Sequence, residues 1–208
     1  MSAGQPVLEH VRLEGERVRL RPLCAGDAAA AFPLVHGRRE VLDWLVWEGP
    51  ESPEELAAAY QSWATLDDDG ANYHLALEEL AGGELCGTIG ARFKGHPFQA
   101  DVGYWIGSRY WGRGLATEAV RLVAHLCFEH LRAVIVYACV FVGNEASARV
   151  LAKNGFEEVA IGDQGEGGIF CSRAGRPQRF FALARSAWGA RRTDFQPLRE
   201  DVGFAGRR

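Results

Sequence analysis

One segment of the chain, Tyr104–Glu118, constrains its fold and its chemistry more than any other. It starts as an apolar strand, passes through Gly112 and Gly114, and continues into a stretch from 115 to about 131 whose apolar residues recur at helical spacing. The first turn of a helix offers unpaired N–H groups and the positive end of the helix dipole, and glycine lets an anion approach the backbone. The segment therefore predicts a turn that binds phosphate groups, although a lone Gly-x-Gly pair is also typical of a plain tight turn.

The best-known phosphate loops are absent from the chain. No G-x-x-x-x-G-K-S/T motif occurs, and Thr117 stands where the dinucleotide fingerprint needs its third glycine. The turn at Gly112 and Gly114 therefore belongs to neither of these two phosphate-binding motifs. Arg109 and Arg113 add positive charge to it.

The remaining pattern predicts short strands that alternate with helices. Strands are expected at 11–23, 72–80, 84–94, 101–106, 133–142, 156–161 and 178–184, and helices at 27–36, 52–66, 115–131 and 144–154. With 208 residues, 48% of them hydrophobic, one domain can bury a core without disulfides or metals. We expect a mixed sheet with helices on both faces over residues 11–186, followed by a mobile C-terminal tail, 187–208.

Charge is unevenly distributed along the chain. Between Glu40 and Glu84 there are 12 acidic residues and no Lys or Arg, whereas the rest of the chain carries all 23 basic residues against 15 acidic ones. The net charge of −4 disfavours a nucleic-acid partner. The acidic stretch is either a solvated face or a surface that attracts a cationic substrate.

Cysteine and histidine spacing argues against a disulfide framework or a metal site. The five cysteines are odd in number and form no C-x-x-C pair, which indicates reduced thiols and a cytoplasmic location. His125 and His130 are five residues apart and fall on different faces of an α-helix, so no metal is expected. No apolar run of 18 residues and no signal-peptide pattern occur, so no membrane partner is expected.

Two motifs resemble those of the GCN5-related N-acetyltransferases. Arg109-x-x-Gly112-x-Gly114 is similar to the family's acyl-CoA pyrophosphate motif, Q/R-x-x-G-x-G/A. The longer string YWGRGLATEAV resembles the branch that includes the ribosomal-protein alanine N-acetyltransferases. The stretch Asn144–Phe156 resembles that branch's N-x-x-S-x-x-x-L-x-K-x-G-F signature, and the resemblance covers roughly residues 13–184.

The resemblance implies a fold, a cofactor and a reaction. The fold is α/β (α+β), with a mixed, mostly antiparallel sheet of six to seven strands, splayed into an acyl-CoA cleft between the strand before the turn and the strand after the helix. The cofactor is acetyl-CoA, and a primary amine attacks its thioester directly in a ternary complex. The acceptor is a protein N-terminus or a small cationic amine, and a homodimer is common in this branch. The alternative is a non-catalytic acyl-CoA-binding module.

The same match assigns the cofactor-binding residues. The resemblance places them at Trp105, Ile106, Arg109, Gly112, Arg113, Gly114, Leu115, Ala116, Thr117, Asn144 and Ser147. Asn144 is expected to bond the pantetheine chain, to cap the next helix, or to do both.

The catalytic residues follow from the resemblance as well. Many members use a helix Tyr to protonate the leaving thiolate, but the matching residue here is Leu151, so Ser147 is the available hydroxyl. The other interpretation of Ser147 is a serine on the helix surface that only touches CoA. Asp101 and Glu166 are the candidate bases that take the proton of the amine. A structural carboxylate is the other interpretation of Asp101.

Aromatic residues in the acidic stretch are the candidates for acceptor binding. Trp44, Trp47 and Tyr73 lie there, as does Trp63. Rings beside carboxylates suit a protonated amine through cation–π attraction. The other interpretation is that the tryptophans pack the helices.

Overall fold

The computed structural model describes residues 8–63, 72–93, 96–159 and 176–204, and within them nine strands form one sheet. The strands are β1 (Leu8–Glu14), β2 (Val18–Pro22), β3 (Asn72–Glu79), β4 (Glu84–Arg92), β5 (Gln99–Ile106), β6 (Ile135–Phe141), β7 (Glu157–Val159), β8 (Gln178–Ala184) and β9 (Arg199–Phe204). Their order across the sheet is β7-β8-β6-β5-β4-β3-β2-β1-β9. Neighbours pair antiparallel, except that β5 and β6 are parallel.

Helices cover both faces of this sheet, as predicted. They are α1 (Ala28–Val35), α2 (Arg39–Leu42), α3 (Pro53–Trp63), α4 (Leu115–His125), α5 (Glu145–Lys153) and α6 (Arg185–Ala190). Seven consecutive residues of β4 are buried, which requires cover on both sides, and both α1 and α4 contact this strand. Across the described residues, no helix is both long and apolar enough to cross a membrane.

The predicted helix over 115–131 changes its winding part-way. The α-helix ends at His125, and a π-helical turn follows at Leu126–His130. In that turn the N–H of Leu131 donates to the carbonyl of Leu126 at 3.1 Å, across five residues instead of four.

The sheet has nine strands where six to seven were predicted. The predicted strand over 11–23 is the two strands β1 and β2, because the chain reverses at Gly15–Arg17. The second additional strand is β9, which pairs with β1 along its length.

The segment after β8 packs on the domain, which differs from the predicted boundary at residue 186. Trp188 on α6 and Phe195 on the 3-10 turn that follows are both buried in the core. The domain continues to Phe204 in the structure. A six-residue helix and an edge strand are too short to show periodicity, so the pattern did not reveal them.

Asp27, at the start of α1, belongs to a network of charged groups. The guanidinium of Arg21 donates to both of its carboxylate oxygens at 2.9 and 2.6 Å, and the N–H of Cys24 donates at 2.9 Å. Burial acts to raise the pKa of Asp27, but these hydrogen bonds outweigh burial and hold the pKa below its usual 3.8.

This network makes stability depend on pH in the acid range. A carboxyl whose pKa is lowered by folding stabilises the fold above its unfolded pKa, and that contribution is lost as pH falls through the folded value. We expect the free energy of unfolding to fall below about pH 4, and to fall less steeply in Asp27→Asn. Urea unfolding at a series of pH values measures this. The control is Asp43→Asn, which removes an exposed ion pair with Arg39 and should keep the wild-type dependence of unfolding free energy on pH. An unchanged pH dependence in Asp27→Asn would contradict the assignment of this acid-range loss to Asp27.

Candidate active site

A cleft opens in the middle of the sheet between β5 and β6. The parallel pairing ends where Asp101 faces Tyr137, although the two strands continue to Ile106 and Phe141. The backbones therefore diverge, as the resemblance implied, and the β5–β6 ladder does not join the two walls beyond this point. A cavity of about 520 Å³ fills this space.

The end of the cavity is closed by the turn before α4. Gly112 and Gly114 have positive φ angles of 75° and 79°, and a Cβ at either position would meet nothing within 4 Å. The positive φ angles favour glycine at both positions. The space that a side chain would fill there is open. The first residues of α4, Leu115 to Thr117, line the cavity, and the N–H groups of a first helical turn have no partner within their helix.

Most predicted cofactor-binding residues meet at this cavity, but two arginine side chains do not. The lining includes Trp105, Ile106, Gly112, Gly114, Leu115, Ala116, Thr117, Asn144 and Ser147. Arg109 donates to the hydroxyl of Tyr110 at 2.7 Å and lies 3.5 Å from Glu84. Arg113 forms an ion pair with Glu79. Both arginine side chains are engaged by the β3–β4 hairpin.

The charge at the cavity comes from other residues. Among the described residues, the charged side chains in its lining are Arg92, Asp101, Arg149 and Lys153. Arg149 and Lys153 are four residues apart on α5 and so share one helix face. That spacing was visible in the sequence, and our sequence reasoning missed it.

Two hydroxyl groups meet inside the cleft. Asn144 caps α5, because its side-chain oxygen accepts from the N–H of Ser147 at 3.1 Å, which confirms the predicted cap. The hydroxyl of Ser147 lies 2.9 Å from that of Tyr104 on β5. Burial raises the pKa of Tyr104 to about 12, so this phenol is neutral at physiological pH. Sequence reasoning missed Tyr104, since no local pattern links residues 43 positions apart.

Asp101 lies at the inner end of the cleft, where β5 and β6 separate. Its carboxylate is buried, with 3% of the residue exposed, and forms an ion pair with Arg92 on β4. Burial raises the pKa of Asp101, and the nearby charge of Arg92 only partly opposes that effect. This geometry is compatible with both interpretations, a base and a structural carboxylate.

Only part of the predicted acceptor set reaches the cavity. Trp44 lines it. Trp47 packs edge-on against Trp63, and Tyr73 is buried in the core against Phe93, so the structure does not bring these two to the site. Packing is the role that the structure shows for them.

The described part of the acidic stretch does not supply charge to the cavity. The residues that it contributes to the lining, within the described ranges, are the apolar Val41, Trp44, Leu45 and Val46. Glu40 instead accepts a hydrogen bond from Ser108 at 2.9 Å. The candidate base Glu166 lies outside the described residues.

Comparison with known proteins agrees with this geometry. The family described as "Acetyltransferase (GNAT) domain" matches residues 17–157, more than half of the chain. The chain belongs to the GNAT family of acetyltransferases. Among its relatives, the uncharacterized N-acetyltransferase YoaA of Bacillus subtilis (strain 168) is 32% identical over 150 residues, which cover 72% of this chain and 84% of YoaA. The predicted family is thereby confirmed.

Solved structures of other GNAT proteins share the fold. A GCN5-related N-acetyltransferase from Brucella melitensis superposes with a TM-score of 0.74 at 23% identity, covering 92% of this chain and 86% of that one. Mycobacterium smegmatis RimJ in complex with CoA-disulfide superposes with a TM-score of 0.70 at 22% identity, covering 88% of this chain and 93% of that one. GNAT homologues thus bind CoA, and this GNAT protein is an N-acetyltransferase with their fold.

Proposed function

We propose that this GNAT protein transfers the acetyl group of acetyl-CoA to a primary amine by direct attack in a ternary complex. The observation that carries the proposal is the splayed cleft between β5 and β6, which ends on a glycine turn and a helix N-terminus. The backbone groups of β5 and β6 that face this gap suit hydrogen bonds to an extended pantetheine chain. The N–H groups at the turn suit a pyrophosphate.

Positive charge for the cofactor comes from α5 in this proposal. Arg149 and Lys153 line the cavity, whereas Glu84 and Glu79 already engage Arg109 and Arg113. The backbone N–H groups from Gly112 to Thr117 hold the pyrophosphate, and Asn144 both caps α5 and faces the pantetheine chain.

The reaction needs a base that takes one proton and hydrogen-bond donors that stabilise the leaving thiolate. The neutral amine nitrogen forms a bond to the carbonyl carbon, the carbon–sulfur bond breaks, and the proton of the amine passes to Asp101 directly or through water. Tyr104 and Ser147 donate hydrogen bonds to the thiolate. Because the pKa of Tyr104 is about 12 and that of a free thiol about 8.5, the phenol stabilises the thiolate without giving up its proton, and sulfur is protonated from solvent.

The charges at the cavity favour an acceptor with a single positive charge. Arg149 and Lys153 are assigned to the CoA phosphates and Asp101 is paired with Arg92, so the described lining holds no unpaired carboxylate for a second amine charge. A peptide N-terminus carries one amine, and its first side chain can pack on Trp44 and Val46 in the lining of the cavity. We therefore favour a protein N-terminus over a small polycation.

A thiol-release assay tests the proposed function. The protein is incubated with acetyl-CoA and either N-terminal peptides or polyamines, and free CoA thiol is followed. We expect release that depends on the amine and is faster with peptides. CoA binding with no release across the panel would favour the non-catalytic module, and the absence of CoA binding would contradict both functions.

Variants of the cleft hydroxyls test the mechanism. Tyr104→Phe and Ser147→Ala should each lower kcat by roughly 10- to 100-fold, because a donor to the developing thiolate is lost, while the Kd for CoA changes little. Asp101→Asn should lower kcat by about 100-fold if the carboxylate is the base.

A matched control separates chemistry from structure. Tyr60→Phe removes a phenol that is buried outside the cleft and has no hydrogen-bond partner among the described residues, so kcat should be unchanged. Wild-type kcat in Tyr104→Phe would overturn its assignment. Loss of folded protein in Asp101→Asn, seen by circular dichroism, would identify Asp101 as a structural carboxylate.

A further inference from the structure

Two histidines and one glutamate form a cluster at the opposite end of α4 from the glycine turn. His125 is the last residue of α4, His130 ends the π-helical turn, and Glu200 lies on β9. The Nε2 atom of His125 is 2.9 Å from a carboxylate oxygen of Glu200, and the Nε2 atom of His130 contacts the same oxygen. The three potential ligand atoms all lie within 4.8 Å of one another.

The π-helical turn brings the two histidines together. Residues five apart lie on different faces of an α-helix, which is why the sequence predicted no metal site. The turn is wound with hydrogen bonds across five residues, so His125 and His130 fall on one face, with ring centroids 5.8 Å apart. π-helical turns are frequent at functional sites.

The ligand atoms suit a divalent transition-metal ion. Two imidazole nitrogens and one carboxylate oxygen are a set that Zn²⁺ accepts, and three protein ligands leave a fourth position for water. His125 is 4% exposed, but the side chains of His130 and Glu200 are 24% and 34% exposed, so the cluster has an open side.

We propose that His125, His130 and Glu200 bind one Zn²⁺ or a similar divalent transition-metal ion. The ion lies about 2.0–2.2 Å from each ligand atom, so the Glu200 carboxylate must withdraw from its direct contact with the rings. Its exposed side and its place on an edge strand allow this movement. The ion joins α4 to β9 and so stabilises the C-terminal segment, independently of acetyl transfer.

Titration of the chelator-treated protein with Zn²⁺ tests the proposal. Calorimetry should show one equivalent bound per chain. At a hundredfold excess over Kd, Zn²⁺ should raise the Tm by roughly 5–10 °C. Mg²⁺ at the same concentration should have no effect, because it prefers oxygen ligands.

Variants locate the ion on the three residues. Glu200→Gln keeps an oxygen that can accept from the rings but removes the anionic ligand, and His130→Gln removes one imidazole; each should weaken Zn²⁺ binding at least tenfold. Asp201→Asn is the control, because the carboxylate of this neighbour on β9 pairs with His10 at 3.0 Å, outside the cluster, and the variant should bind Zn²⁺ as the wild type does. The proposal would be overturned if the wild type showed no saturable Zn²⁺ binding. It would also be overturned if Glu200→Gln and His130→Gln bound Zn²⁺ with unchanged affinity, and the cluster would then be only a hydrogen-bonded contact.

Discussion

Replacing Gly114 by valine is expected to weaken CoA binding on the order of a hundredfold. The φ of Gly114 is 79°, and a β-branched residue in this region costs of order 1–3 kcal/mol, so the backbone of the turn must shift. The added side chain also enters the open space that the pyrophosphate occupies in our proposal. Calorimetric titration with CoA measures the change in Kd.

Gly83→Val is the matched control for this experiment. Gly83 lies in the turn between β3 and β4, has a φ of 67°, and has open space around a built Cβ, as Gly114 does. The two variants should lose similar stability, but Gly83→Val should bind CoA as the wild type does. A Kd within threefold of the wild type in Gly114→Val would show that the pyrophosphate binds elsewhere.

Replacing Glu118 by alanine is expected to lower the free energy of unfolding by roughly 3 kcal/mol. Its buried carboxylate on α4 accepts three backbone N–H groups, those of Glu16, Arg17 and Val18, each at 2.8 Å. The carboxyl group of Glu118 packs directly on the backbone of Gly15, since a Cβ built on Gly15 would lie 2.5 Å from the carboxyl carbon. Removing the carboxylate leaves donors of the β1–β2 turn without their acceptor, and urea unfolding measures the loss.

Glu145→Ala is the control for this effect. Glu145 is also an acidic residue in the first turn of a helix, but it is exposed and pairs with Arg179 at 3.2 Å. An exposed ion pair contributes about 0–1 kcal/mol, so this variant should change stability little. A loss in Glu118→Ala no larger than in Glu145→Ala would contradict the proposed role of the three hydrogen bonds.

The elements that the sequence predicted well depend on contacts between near neighbours. The strand at 178–184 has the predicted bounds, and the predicted helix over 144–154 is α5, capped by Asn144. The predicted helix over 52–66 contains α3, and at its start the hydroxyl of Ser52 accepts from the N–H of Glu55 at 3.1 Å. Period and capping act within a few residues, so they can be read along the chain.

Where side chains point depends on partners that are distant in sequence. The motif placed Arg109 and Arg113 at the turn, but Glu84 and Glu79 draw both side chains to the hairpin. The aromatic rings of Trp47 and Tyr73 could bind a protonated amine, yet both rings pack against other aromatic side chains. Local pattern says which residues are near a site but not which way they face.

The sequence by itself determined the strand, glycine turn and helix that form the end of the cleft where we propose that CoA binds, and through its motifs the GNAT family. Backbone conformation at Gly112 and Gly114 is a local property, so it is encoded locally. Only the tertiary structure decided that Tyr104 meets Ser147 and that Glu200 meets two histidines. These contacts need the sheet and helices to fold first, because they join groups 43 to 75 residues apart.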